Sequence, residues 1–141
     1  MGRKVRVVPD TNILISAIGF GGKPREILKL VLDKKIKAIS SYTLFAEFND
    51  VISKKFPKLT SELDRIQKHF RKNMEIVKPS QGIHILQDEP DNRVLEAALE
   101  GNCGYIITGD NDLLNLKIYK NIVILKPDDF LANIQNLILS D

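Results

Sequence analysis

Asp10, Glu47, Asp91 and Asp110 are placed along the chain so that an α/β sheet could gather their carboxylates into one metal site. Asp10 follows Val7-Val8-Pro9 and Asp110 follows Ile106-Ile107-Thr108-Gly109, so two of the four come just after apolar, strand-like runs. Ligands and catalytic groups of open α/β sheets collect at the carboxyl ends of strands. Two bare carboxylates about 5 Å apart repel by roughly 3 kcal/mol at an effective dielectric of about 20, so four held together call for a cation or for bound protons. A site built from carboxylate oxygens suits Mg²⁺ or Mn²⁺ better than zinc, which prefers thiolate and imidazole. His69 and His84 show no metal-ligand spacing, and the lone Cys103 excludes an internal disulfide and a thiolate zinc cluster.

Such a gathering needs strands that alternate with helices. Lys4 to Val8 reads as a short strand with β-branched Val5, Val7 and Val8, ended by Pro9-Asp10. An apolar helix follows over Ile13 to Ile18, which Asp10, Thr11 or Asn12 could cap. Gly19, Gly21, Gly22 and Pro24 break it, and Arg25 to Lys34 resumes with Ile27, Leu28, Val31 and Leu32 at helical spacing. Lys37 to Ser41 is a second strand, Thr43 to about Lys54 a helix carrying Glu47, and Ser61 to Lys72 a further helix after Pro57. Glu75 to Lys78 is a third strand, and Asp91 to Glu100 a helix with Val94, Leu95, Ala98 and Leu99 inward and Gly101 as its stop. Tyr105 to Thr108 and Ile122 to Leu125 are strands, and Pro127 to Leu139 is the closing helix. The alternation predicts a parallel sheet with helices on both faces. With the first strand central and the Tyr105 strand beside it, Asp10 and Asp110 would face each other where the strand order reverses. Glu47 and Asp91, each early in a helix, could lean over the same crevice.

The 141 residues can bury one real core and are too few for two ordinary domains. An apolar content of 43% with 28% charged residues excludes a disordered or membrane-spanning chain. No apolar run approaches the roughly 18 residues that span a bilayer, and no signal-peptide core opens the chain, so a cytoplasmic location is expected. The net charge of +3 permits a nucleic-acid partner without requiring one.

Each acid also has an ordinary structural use. Asp10 could be a helix N-cap, Glu47 a solvated helix residue, and Asp91 a helix cap with Asp88 and Glu89 competing in the same turn. Asp110 could belong to turn chemistry, with Asp112 capping a short helix at Leu113-Leu114. Their order along one α/β chain is the stronger signal.

Together these residues resemble the PIN-domain nucleases. The resemblance rests on Val8-Pro9-Asp10-Thr11-Asn12, Glu47, the Asp88-Glu89-Pro90-Asp91-Asn92 segment leading into Leu95-Glu96-Ala97-Ala98, and Thr108-Gly109-Asp110-Asn111-Asp112-Leu113-Leu114. It spans residues 1–141 and is strongest to the VapC-like toxins of prokaryotic toxin-antitoxin systems. It implies a Rossmann-like α/β/α sandwich and a Mg²⁺- or Mn²⁺-dependent endoribonuclease. Carried over by position, the metal-binding and catalytic acids are Asp10, Glu47, Asp91 and Asp110, with Asp112 a fifth candidate. Asn12 and Thr108 match polar positions expected to orient Asp10, Asp110 or a water. The third acid stays open between Asp91 and Asp88, and Asp91 is favoured because it opens the helix. The resemblance also implies an antitoxin partner and a homodimer.

RNA contact would need cations near the crevice. Lys23 and Arg25 follow the glycine cluster, and Lys54 and Lys55 begin a basic run that continues through Lys58, Arg65, Lys68, Arg71 and Lys72. Phe20 and Tyr42 could stack on an unpaired base. Competing functions are a catalytically silent PIN-like module that binds RNA or protein and a housekeeping RNA-processing nuclease. An aspartyl phosphatase would want an acid where Asn12 stands, and a receiver domain would want paired acids ahead of Asp10.

Overall fold

The computed structural model describes residues 4–139, and side chains through residue 134. Six strands form one sheet in the order β3-β2-β1-β4-β6-β5. They are β1 (Val5–Pro9), β2 (Ile36–Ser41), β3 (Met74–Val77), β4 (Tyr105–Ile107), β5 (Ile118–Tyr119) and β6 (Ile122–Leu125). β1 pairs in parallel with β2 on one side and with β4 on the other, so β1 is central, β4 lies beside it, and the strand order reverses there. One edge departs from the expected all-parallel sheet: β5 runs antiparallel to β6. The two are joined by Lys120-Asn121, both at positive φ (48° and 69°), which is the backbone of a two-residue primed turn. Lys-Asn is a much weaker hairpin signal than Asn-Gly, and a two-residue strand carries no periodicity.

Among the described residues six helices connect the strands, α1 (Thr11–Gly19), α2 (Gly22–Leu32), α3 (Tyr42–Lys55), α4 (Leu63–Asn73), α5 (Glu89–Glu100) and α6 (Asn111–Leu114), and α7 (Pro127–Leu139) follows the last strand. A 3₁₀ turn over Pro57–Glu62 precedes α4, where an uninterrupted helix from Ser61 was expected. α2 starts at Gly22 rather than Arg25, because Gly21 and Gly22 at φ 84° and 66° complete the reversal within two residues. α5 starts at Glu89, two residues ahead of the expected Asp91, with Pro90 in its first turn where a missing N–H costs nothing. Among the described residues no helix is long and apolar enough to cross a membrane.

Side-chain alternation along the strands divides the interior into two apolar layers. Val7, Ala38 and Ile107 face the layer filled by Ile13, Leu14, Ile27, Phe45, Phe48, Phe70 and Phe130, from α1 to α4 and α7. Val8, Ile39 and Ile106 face the opposite layer, filled chiefly by Val94, Leu95 and Ala98 of α5 and Leu113 of α6. Helices on both sides of a mostly parallel sheet leave only strand ends free of cover. The end of α5 is fixed by contact: a Cβ on Gly101 would sit 2.8 Å from Ile39 Cγ2 and 3.1 Å from the Ala97 carbonyl oxygen. The left-handed residue there is the next one, Asn102, at φ 51°.

Candidate metal centre

The site forms at the carboxyl ends of β1 and β4. The Asp10 N–H donates to the Ile107 carbonyl at 3.0 Å, so the ladder between the two strands runs one step beyond β1 and fixes the Asp10 backbone. Asp10 is buried and caps α1: its Oδ1 accepts from the Ile13 N–H at 2.9 Å. Its Oδ2 accepts from the hydroxyl of Thr108, which is fully buried. The same Thr108 oxygen accepts the Asp110 N–H at 3.0 Å. One hydroxyl therefore links the carboxylate after β1 to the backbone of the acid after β4. Asp110 caps α6, its Oδ1 accepting from the Asp112 N–H at 2.8 Å and the Leu113 N–H at 3.4 Å. The short helix is thus capped by Asp110 and not by Asp112, whose side chain is exposed.

α5 brings the remaining acids. Asp91 lies on its first turn in register with the inward stripe Val94, Leu95 and Ala98, which explains why a carboxylate there is only 7% exposed. Asp88 stands at the N-cap position without capping through its side chain, so its carboxylate is available to the site. Asp88, Asp91 and Asp110 each offer an oxygen, and the three atoms lie within 4.8 Å of one another. The choice between Asp88 and Asp91 is therefore not exclusive in space, since both reach Asp110. Asp10 and Glu47 lie outside this trio and are linked to it by charge. Asp110 and Glu47 both act on Asp10, and Asp10 acts on Asp91. Glu47 is half-buried on the second turn of α3.

The electrostatics follow from this crowding. Burial pushes the Asp10 carboxyl up to about 6; the bonds from Thr108 and Ile13 hold it down, while Asp110 and Glu47 add to the rise. Burial also pushes Asp91 up to about 7, with the neighbouring Asp110, Asp88 and Asp10 carboxylates acting in the same direction. At 4.8 Å each ionised pair repels by about 3 kcal/mol at an effective dielectric of about 20. A metal fits this donor set on a separate observation: Asp91 Oδ2 is buried and has no hydrogen-bond partner. A buried carboxylate oxygen is rarely left unpaired, and this one is carried by a residue of the trio. Oxygen-only donors select a hard divalent cation.

Asn12 is exposed on the first turn of α1, beside Thr11, whose buried Oγ1 lacks a partner. Phe20 is 77% exposed and meets Phe56 edge-on at 5.8 Å, and Tyr42 is exposed at the start of α3, so neither ring is a core residue. Lys23 pairs with Glu26 at 3.4 Å and Lys54 with Asp50 at 3.0 Å, while Lys55 is exposed. Arg25, an exposed candidate for phosphate contact, also has a structural task. Its Nε and Nη2 donate to the Ala17 and Ile18 carbonyls at 2.9 and 3.1 Å, closing the end of α1. The sequence assigns no bonding role to the Asn92 amide, or to Ser41, which caps α3 at 3.2 Å to the Leu44 N–H. Asn92 was nevertheless detectable as a polar residue in register with Leu95 and Leu99 on an inward helical stripe.

A crevice of carboxylates at the strand-order reversal of a mostly parallel α/β sheet is compatible with a metal site, and the chain belongs to the PIN domain family, whose model matches residues 6–112. PIN domains are generally nucleases that use divalent metals. An uncharacterised protein of Methanocaldococcus jannaschii is 35% identical over 119 residues, 81% of this chain and 76% of that one. The fold is similar to that of VapBC2 from Rickettsia felis, solved bound to a DNA fragment from their promoter. That match has a TM-score of 0.61 and 19% identity over 85% of this chain and 97% of the other. It is also similar to PAE2754 from Pyrobaculum aerophilum, with a TM-score of 0.55 and 12% identity over 95% and 99% of the two chains.

Proposed function

We propose that this PIN protein is a Mg²⁺- or Mn²⁺-dependent endoribonuclease and the toxin of a toxin-antitoxin pair. The observation that carries the reading is the meeting of oxygens of Asp88, Asp91 and Asp110 within 4.8 Å, with a buried, unpartnered oxygen on Asp91 itself. Asp91 and Asp110 would hold the cation, with Asp88 completing the set. Both oxygens of Asp10 already accept hydrogen bonds, so Asp10 contributes charge and a remaining lone pair, and through Thr108 it fixes where Asp110 stands. Glu47 adds charge beside Asp10. A divalent cation, when bound, offsets phosphate charge and acidifies the attacking water. The carboxyls of Asp10 and Asp91, raised to about 6 and about 7, would give up their protons to metal uptake near neutral pH.

The antitoxin part of the reading has its own support. Leu28, Leu32 and Ile66 floor an open groove of about 530 Å³ between α2 and α4, with Arg65, Lys68 and Lys72 on its rim. Apolar floor and cationic rim match a peptide with apolar and acidic side chains better than they match bare phosphate. A complex with an antitoxin is also what the VapBC2 likeness suggests, and a homodimer and a cytoplasmic location complete the proposal.

Cleavage of mixed cellular RNA by wild type, Asp10→Asn and Asp110→Asn, with and without Mn²⁺, tests the activity. Wild type should cut only with the metal, and each variant should lose cleavage by about 100-fold or more while keeping its fold. Full Mn²⁺-dependent cleavage by either folded variant would refute the site.

A further inference from the structure

Between β3 and α5 the chain crosses residues 78–88 without regular structure, and this stretch delivers Asp88 to the acids. Four side chains of α5 hold it down. Glu100 accepts from the Ser80 N–H and hydroxyl at 2.8 and 2.9 Å, and Glu96 accepts from the Ile83 N–H at 2.8 Å. Arg93 donates to the Ile83 carbonyl at 3.1 Å and pairs with Glu96 at 3.0 Å. The last tie is the one nearest the site. Asn92 is fully buried; its Oδ1 accepts the Leu86 N–H at 3.0 Å, and its Nδ2 donates to the Leu86 carbonyl at 2.8 Å.

This paired contact copies one rung of a β-ladder with a side-chain amide. It satisfies both polar groups of one loop residue, two positions ahead of Asp88 and next to Asp91 on the helix. An amide is required, because only Asn or Gln presents a donor and an acceptor side by side in one plane. Leu86 itself packs against the α5 layer, so its backbone is held from both sides. Without the clamp, the Leu86 N–H and carbonyl would turn toward water, and the segment bearing Asp88 would move with them.

We propose that Asn92 is a positioning residue that sets the Asp88 carboxylate relative to Asp91 and Asp110. The inference rests on the metal-site reading above, and it adds that metal affinity is controlled by a residue that is not a ligand. Partners that orient metal ligands typically change affinity by about 10- to 100-fold when removed.

The test is Mn²⁺ binding by calorimetry, without RNA, to wild type, Asn92→Leu, Asp88→Asn and the double variant. Leu keeps the branched heavy-atom skeleton of Asn, in a larger side chain, and removes both bonds to Leu86 together with the long 3.5 Å contact to Glu89. Asn92→Leu should weaken Mn²⁺ binding by about 10-fold or more, and in the Asp88→Asn background it should cause no further loss beyond about twofold, because its effect runs through Asp88. If Asn92→Leu does not fold, Asn92→Ser, which cannot make both bonds at once, carries the same expectations. Wild-type affinity in the folded variant, or an equal loss with and without Asp88, would overturn the positioning role while leaving the metal site intact. Wild type that takes up no Mn²⁺ would overturn both.

Discussion

Without metal, the protein should lose stability as pH rises from 5 to 8, the reverse of the usual effect of salt-bridged carboxylates. In the folded state the Asp10 and Asp91 carboxyls lie at about 6 and about 7, whereas in the unfolded chain an Asp titrates near 3.9. Between these values the folded protein binds more protons than the unfolded chain, so unfolding free energy falls with increasing pH. The contribution is complete below about pH 4 and is lost as pH passes through the two folded values. From pH 5 to pH 8 the loss is about 1 kcal/mol for Asp10 and about 3 kcal/mol for Asp91, on the order of 4 kcal/mol together. Urea unfolding in EDTA at several pH values measures it directly. Asp91→Asn preserves the shape and removes the titration, so most of the slope should vanish. Saturating Mn²⁺ should restore stability at pH 8 and do less at pH 5, where protons compete for the same oxygens. Apoprotein stability that is level or rising across this range, or a slope unchanged in Asp91→Asn, would refute the account of a crowded, buried acid cluster.

Thr108→Val should destabilise the fold by about 2–4 kcal/mol by removing the donor to Asp10 and the acceptor of the Asp110 N–H. It should also raise the Asp10 carboxyl further, which carboxyl-detected NMR titration would follow. Gly101→Ala should lower stability by about 1–3 kcal/mol, through contact with Ile39 and the Ala97 carbonyl, while Mn²⁺ affinity stays at the wild-type level in calorimetry. Arg25→Ala should cost about 1 kcal/mol by freeing the carbonyls at the end of α1. It should leave the salt dependence of RNA binding unchanged, and a shallower slope would instead mark Arg25 as a phosphate contact.

Much of the framework was legible in one dimension. β-branched runs at Val5–Val8 and Ile122–Leu125 and the helical stripe through Val94, Leu95 and Ala98 depend on local periodicity, which any segment carries within itself. The position of Asp10 between a strand and a helix was legible for the same reason, as was its capping of α1. The β5–β6 hairpin was not, because two residues joined by Lys120-Asn121 hold too little pattern. The true start of α5 depended on Pro90 being tolerated in a first turn, a boundary that apolar periodicity cannot fix.

The sequence by itself determined that acids would stand at strand ends and helix starts, since that placement follows from local chemistry. Only the tertiary structure decided which oxygens meet. Asp88 and Asp91 both reach Asp110 because α5 packs across the sheet and its side chains tie down the loop from β3, contacts spanning up to 20 residues. Thr108 joins Asp10 to Asp110 across 98 residues because β1 and β4 are neighbours, and no local spacing encodes that adjacency. Whether a carboxylate is a solvated cap or part of a crowded site with raised affinity for protons and cations depends on burial and on neighbours from other elements. Those are properties of the packed molecule.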